Sequence, residues 1–504
     1  MKNKISIYIL LPLITILTWN ACDDDDFLDQ LPKGVAIAKT TSDFRKLLDN
    51  VDNERFPHSF SQTSAYLDVL TDNVSVDSTD WASWRFTAEH FQELFTFKDF
   101  VFIYDNLRDD PNWKPSFYIA SLSSTILEEI NKVTDNDNLK KQLIAETKVH
   151  RAYGYLTLVN VYAKTYNESS ASSDLGVPIV TLPSALPSLE RSSVQEVYDF
   201  ILKDLNEAIE DLPEDVDIYN HRPTKTAAYA ILARAYLYMG NYEKAFEFAD
   251  KSLQIRNFLY DLNTEYSGAD PYYTAITKIS RTTDQEILLH KTTTQGFYSR
   301  NYNIIDTLSF DNIYPGFTKM GSNYTNLDLR RTLWFRGWDT SNTIKESNNA
   351  YHFVYYGNHS TFRYGLDNRN ADRSDNIPIT TAEMYVTRAE ASARLGNLGQ
   401  AISDINFIGR KRYKTGTYVD FSSNNQNEVI SAVLAERRRE LYGKDLRLFD
   451  VKRLNVAFSH KLGSATINVP ANDSRLIHPI WDGYLEQNPE IEQNDRSNTG
   501  VTIN

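Results

Sequence analysis

The chain has 504 residues, a net charge of −14 and a single cysteine, with apolar side chains at 41% and charged ones at 24%. That length exceeds what one hydrophobic core usually organises, so two lobes, or one domain carrying a long insertion, are expected. The acidic balance excludes a nucleic-acid partner and broad adhesion to anionic lipid, both of which need clustered Lys and Arg.

Lys2 and Lys4 precede an apolar run over residues 5–17, followed by Ala21 and Cys22. A basic start, a short apolar core and a small residue before the cut are the parts of a signal peptide. The run falls short of the roughly 20 apolar residues a spanning helix needs. Residues 1–21 are therefore read as a removed signal. Cys22 directly behind Ala21 resembles the lipobox of bacterial lipoproteins, which implies a diacylglycerol on its thiol; the alternative is an exported protein with one reactive thiol. Two or more acyl chains hold a protein stably on a membrane, where one does so only marginally. Once Cys22 is acylated no thiol remains for a disulfide. Asp23 to Asp26 repel one another in any compact state, so 22–36 is read as an acidic tether. Acidic residues just after a lipidated cysteine resemble the surface-export signals of some Gram-negative lipoproteins.

Residues 37–257 read as a helical region. Asp72, Asp77 and Asp80 offer oxygen ligands of the kind calcium takes, but are read as turn caps. Trp81 and Trp84 follow in a polar, loop-like stretch. Trp113, between Pro111 and Pro115, is read as structural. Apolar residues at helical spacing predict amphipathic helices over 138–164 and 194–212, the second capped by Ser192 or Ser193 and stopped by Pro213. The stretch 226–257 is the most regular: Ala230, Ala233 and Ala235 allow close helix approach, Gly240-Asn241 supplies a left-handed turn, and Ala245, Phe248 and Leu253 continue the stripe. The same grammar returns over 380–411 around Leu395-Gly396-Asn397. These units resemble tetratricopeptide repeats, paired helices of about 34 residues, yet they are far apart in sequence.

The intervening 258–378 reads as an inserted subdomain. Its aromatics, including Tyr298, Trp334 and Trp338, are spaced by Asn, Asp, Ser, Thr and Gly, a texture of loops and short strands. Loops on a rigid helical scaffold suit recognition. Residues 379–504 form the C-terminal region.

Cys22 with Phe27-Leu28-Asp29 and Pro32, the hairpin at Gly240-Asn241-Tyr242, the segment Glu436-Arg437-Arg438-Arg439-Glu440-Leu441 with Gly443, Arg447, Asp450 and Arg453, and His478-Pro479-Ile480 with Asn488-Pro489 together resemble the SusD/RagB family. The resemblance spans essentially the whole mature chain. It implies a mostly α, SusD-like fold with tetratricopeptide-like helical pairs and an inserted loop-rich subdomain. The implied function is a non-catalytic, lipid-anchored protein of the outer membrane, facing the cell surface, that captures oligosaccharide and passes it to a SusC-like TonB-dependent transporter. Gly443-Lys444-Asp445-Leu446 departs from the family's usual Glu-Gly pair before the arginine. Within the arginine run, Arg437, Arg439 and Glu440 are read as spaced ion pairs with Glu436 and Asp450, on solvated or paired faces, rather than as substrate ligands.

The sequence holds no HExxH, no phosphate-binding glycine loop and no G-x-S-x-G elbow, so no catalytic residue, metal ligand or cofactor is assigned. Adjacent carboxylates such as Asp109-Asp110 and Glu128-Glu129 point to different sides of a helix and cannot flank one glycosidic bond. A sugar ring presents an apolar C–H face to an aromatic ring while its hydroxyls seek amides, carboxylates and guanidinium groups. Trp81, Trp84, Tyr298, Trp334 and Trp338 are therefore the candidate stacking residues, with core or interface packing as the alternative for each. The rival functions are a peptide-binding lid of a RagA-like importer and a surface glycoside hydrolase.

Overall fold

The computed structural model describes residues 38–50, 60, 62–63, 67–75, 89–99, 110, 112–181, 188–215, 220–265, 284–293, 318–320, 323–325, 327–330, 335–337, 353–355 and 378–504. Helices dominate: α1 (Thr41–Leu48), α2 (Glu89–Phe95), α3 (Trp113–Glu129), α4 (Asp137–Tyr162), α5 (Val194–Ala208), α6 (Lys225–Tyr238), α7 (Tyr242–Ile255), α8 (Leu262–Glu265), α9 (Thr381–Arg394), α10 (Leu398–Arg412), α11 (Gln426–Glu440), α12 (Arg447–Arg453) and α13 (Asp482–Gln487). A helix nucleus is costly and its first N–H groups lack partners. Here side chains supply them: Thr40, Asn136, Ser193, Thr224, Asn241, Thr380, Asn397 and Asn425 each accept from the first turn. Ser193 closes a full capping box with Glu196. After Ala208 the chain tightens into a 3₁₀ turn, Ile209–Asp211, ahead of Pro213.

Both expected hairpins form, α6–α7 and α9–α10. Gly240 and Gly396 sit at φ of 75° and 83°, and the following asparagine caps the second helix. They stack in space despite their separation in sequence. Arg234 on α6 makes a bidentate pair with Glu383 on α9 at 2.7 Å, both buried. Arg388 on α9 joins Asp250 on α7 at 2.6 Å and Asp404 on α10 at 2.7 Å. Alanines at 389, 393 and 401 meet Ile405, Val429 and Val433 in a small core, where short side chains bring α9, α10 and α11 close. The main core runs from α4 through α5, α6 and α7 to the C-terminal region. Trp113 is buried against Phe117 and Tyr162, as its structural reading expects.

Strands are short. β2 (Ile287–Leu289) pairs antiparallel with β8 (Ile379–Thr380), and Thr381 donates through its N–H to Glu286 O and through Oγ1 to Phe258 O. β1 (Gln62–Thr63) pairs in parallel with β3 (Thr292–Thr293). β4 (Thr318–Met320) pairs with β5 (Asn323–Thr325), and β6 (Phe335–Gly337) with β7 (Phe353–Tyr355). Near the C-terminus β9 (Phe458–Leu462), β10 (Ala465–Val469) and β11 (Thr502–Ile503) form one sheet in the order β11-β10-β9. No helix among the described residues is long and apolar enough to cross a membrane.

Candidate ligand site rooted on one helix end

The last turn of α11 carries Glu436-Arg437-Arg438-Arg439-Glu440. Successive side chains on a helix point about 100° apart, so this run fans out and reaches several neighbours at once. Arg437 turns inward to Asp450 at 2.9 Å and to Thr387 on α9. Arg439 folds back to Glu436 at 2.6 Å, one helical turn away. Those pairings are the expected ones, but the solvated face is not what forms. Arg437 is 1% exposed and Glu440 0%, because α9, α10 and α12 close over the helix end. Glu440 takes partners the spacing did not suggest: Arg330 at 2.6 Å and Arg412 at 2.8 Å.

Arg330 is the centre of this network. Its Nε and Nη2 donate to Asp328 at 2.9 and 2.7 Å, and its Nη1 donates to Glu436 and Glu440 at 2.5 and 2.6 Å. Burial opposes its charge, yet Asp328, Glu436 and Glu440 together push its pKa well above the ordinary value. Burial likewise favours the neutral form of Glu436, but Arg330 and Arg439 outweigh it and hold the carboxyl at about 2. The carboxylate is thus an acceptor throughout the physiological range. Removing one partner of such a set strands buried charge and typically costs about 3–5 kcal/mol.

The opposite side of the same helix end holds a second segment. Asp72 receives Arg447 through Nε and Nη2 at 2.7 and 2.9 Å and Arg438 through Nη1 at 2.9 Å. Asp72 is therefore a guanidinium ligand, which corrects its reading as a turn cap. Arg438 also donates to Asn73 Oδ1 and Asp72 O, and Tyr442 donates its hydroxyl to Asn73 O at 2.8 Å. Burial works against the Asp72 charge, and Arg447 and Arg438 reverse that and lower its pKa. His460 stacks on Phe95 at 4.1 Å and lies 3.3 Å from Thr71 O. Burial pulls its imidazole down to about 4, so it stays neutral at pH 7.

A third root lies beside β1 and β3. Lys291 donates to Phe60 O at 2.6 Å and sits 3.2 Å from His150 Nδ1, over the ring of Tyr153. Burial draws its pKa down to about 7.

The sequence-predicted Cys22, Trp81, Trp84, Tyr298, Trp334 and Trp338 lie outside the described residues, as do Asp77, Asp80 and Asp109. Trp81 and Trp84 come nine and twelve residues after Asp72, Trp334 four after Arg330, and Tyr298 five after Thr293. The Asp72 and Arg330 roots both meet the end of α11. Sequence reasoning did not single out Asp72 as an arginine ligand, nor Asp328, Arg330 or Arg412 at all. Their partners lie far along the chain, and no local pattern announces them. No cluster of three His, Cys, Asp or Glu placed to hold a metal occurs among the described residues.

A separate hollow of about 870 Å³ opens between the C-terminal end of α4 and the 472–477 turn. Lys164, Tyr166, Asp174, Asn455 and Asn472 are among its lining residues.

The helical pairs and the arginine hub belong to a mostly helical, SusD-like architecture. Residues 26–237 match a family model described as starch-binding associating with outer membrane, and residues 260–496 match the SusD family model. The chain belongs to the SusD/RagB family. It is 24% identical to a SusD-like protein of Formosa agariphila across 98% of this chain and 99% of that one. With a SusD-like protein of Bacteroides ovatus it shares 22% identity over 87% of this chain and 80% of that one. In fold it is similar to a SusD superfamily protein of Bacteroides thetaiotaomicron (TM-score 0.67, 19% identity, 91% of this chain and 100% of that chain). It is also similar to a SusD-like carbohydrate binding protein of Bacteroides vulgatus (TM-score 0.57, 19% identity, 90% and 98%).

Proposed function

We propose that this chain is a non-catalytic glycan-binding lipoprotein of the outer membrane, held by acylated Cys22 and facing the cell surface. It captures an oligosaccharide on Trp81, Trp84, Tyr298, Trp334 and Trp338 and delivers it to a SusC-like TonB-dependent transporter. Residues 258–378 act as the loop-rich insertion that carries three of these rings, between the helical 37–257 and the C-terminal 379–504. The observation that carries this reading is the shared root. Asp72, ahead of Trp81 and Trp84 in the chain, pairs in a half-buried site with Arg438 at the end of α11, and Arg330, ahead of Trp334 and Trp338, pairs in a buried one with Glu436 and Glu440 there. A rigid base with aromatic-bearing segments springing from it suits recognition of sugar faces, because ordering the platform in advance lowers the entropy lost on binding. Asp72 and Glu436, held below the ordinary carboxylate range by their arginines against the effect of burial, suit accepting hydrogen bonds and not protonating a leaving group.

The test is titration of residues 23–504 with a panel of oligosaccharides, following tryptophan fluorescence and checking for cleavage products. Binding without products, weakened by Trp81→Ala or Trp334→Ala, supports the reading. Released sugar overturns the non-catalytic part, and failure to bind any glycan overturns the glycan part.

A further inference from the structure

Leu434 and Ala435 on α11 and Leu454 and Val456 beyond α12 line a recess of about 260 Å³, whose wall is completed by Arg438, Arg439 and Arg447. Arg438 and Arg447 are two guanidinium groups against one directly paired carboxylate, Asp72, and Arg439 shares Glu436 with Arg330. Asp68 and Asp450 lie within electrostatic reach of Arg447, but Asp450 is itself engaged by Arg437 and Arg453. Arg447 spends Nε and Nη2 on Asp72, and its Nη1 donates to nothing among the described residues. Burial, with Arg447 alongside, pulls the Arg438 pKa below its ordinary value although Asp72 acts the other way.

A guanidinium fork with an open N–H matches a carboxylate or a sulfate ester in shape as well as charge. The hydrocarbon of Leu434, Leu454 and Val456 beside it suits the C–H face of a sugar ring. Asp72, which binds two of the three arginines, is also the root of the segment leading to Trp81 and Trp84. We propose that this recess holds a carboxylate or sulfate ester carried on a sugar ring, so that the captured oligosaccharide is acidic. The proposal rests on the glycan reading above. The overall charge of −14 repels such a ligand at long range, so selectivity has to arise from contact in the recess.

Ala435 is exposed and lies on a helix, so Ala435→Glu places a carboxylate at the recess without removing any ion pair, and Ala435→Gln controls for its size. The probes are uronate oligosaccharides, the same oligosaccharides with their carboxyls reduced to alcohols, and sulfated and unsulfated forms of one galactan. Calorimetry should show the wild type preferring an acidic form by at least tenfold, Ala435→Gln keeping that preference, and Ala435→Glu losing it. Preference for uronate or for sulfate identifies the group. Equal affinity for acidic and neutral forms, or binding of neutral forms alone, overturns the acidic recess and leaves glycan capture standing. So does a preference unchanged in Ala435→Glu. Binding of no member of the panel overturns both.

Discussion

Replacing Arg330 by Met removes the guanidinium that Asp328, Glu436 and Glu440 share while keeping an unbranched side chain in a site that is 0% exposed. The Glu436 carboxyl stands at about 2 against an ordinary 4.5, which at 1.36 kcal/mol per pKa unit is a stabilisation of about 3 kcal/mol. Arg439 retains part of it, while Asp328 and Glu440 also lose a partner. The net cost is therefore expected at about 3–5 kcal/mol, the usual range for breaking a buried pair. Glu436 has a depressed folded pKa, so its contribution is present above pH 4.5 and is lost as pH falls from 4.5 towards 2. Denaturant unfolding should then show a large deficit for Arg330→Met at pH 7 that narrows at pH 4. Fluorescence and circular dichroism are followed together, since coincident transitions license a single free energy. Adding Glu436→Gln to Arg330→Met should recover part of the loss by removing a stranded charge. A wild-type midpoint for Arg330→Met, or no recovery in the double variant, refutes the view that this network fixes the root.

Two further outcomes follow from particular residues. Gly240→Ala should cost about 1–2 kcal/mol, the penalty for an L-residue in the left-handed region. An added Cβ there meets nothing within 4 Å, so a much larger shift in melting would mean the turn is held by contacts unlike those described. Lys452, buried and donating only to Asn160 O and Ala163 O, has its pKa drawn down by burial to about 7. Between pH 7.5 and 9.5 the unfolded chain binds the proton that the folded one does not, so stability rises with pH. Lys452→Met should flatten that rise by up to about 2–3 kcal/mol, and an unchanged slope in denaturant midpoints would contradict it.

Much of the scaffold was legible because its signals are local. The Gly240-Asn241 and Gly396-Asn397 turns, the alanine stripes and the Ser193 cap each fall within a few residues of the helix they specify. Arg439 with Glu436 was legible for the same reason, being three apart on a helix. What could not be read was burial of the arginine run, because that depends on α9, α10 and α12 arriving from elsewhere. Asp72 illustrates the limit: its partners Arg438 and Arg447 lie more than 360 residues away, and before folding nothing distinguishes it from a turn aspartate. Trp81, Trp84, Tyr298, Trp334 and Trp338 were legible as sugar-stacking types in polar stretches. Their role is a proposal that stands on chemistry and on the roots from which their segments start.

The most direct measurement is calorimetric titration of residues 23–504 and of the Trp81→Ala/Trp334→Ala double variant with a glycan panel, with the mixtures examined by chromatography. The account predicts saturable binding of one glycan class, at least tenfold weaker in the double variant, with every oligosaccharide recovered intact. Equal affinity in both proteins, or shortened products, would contradict it.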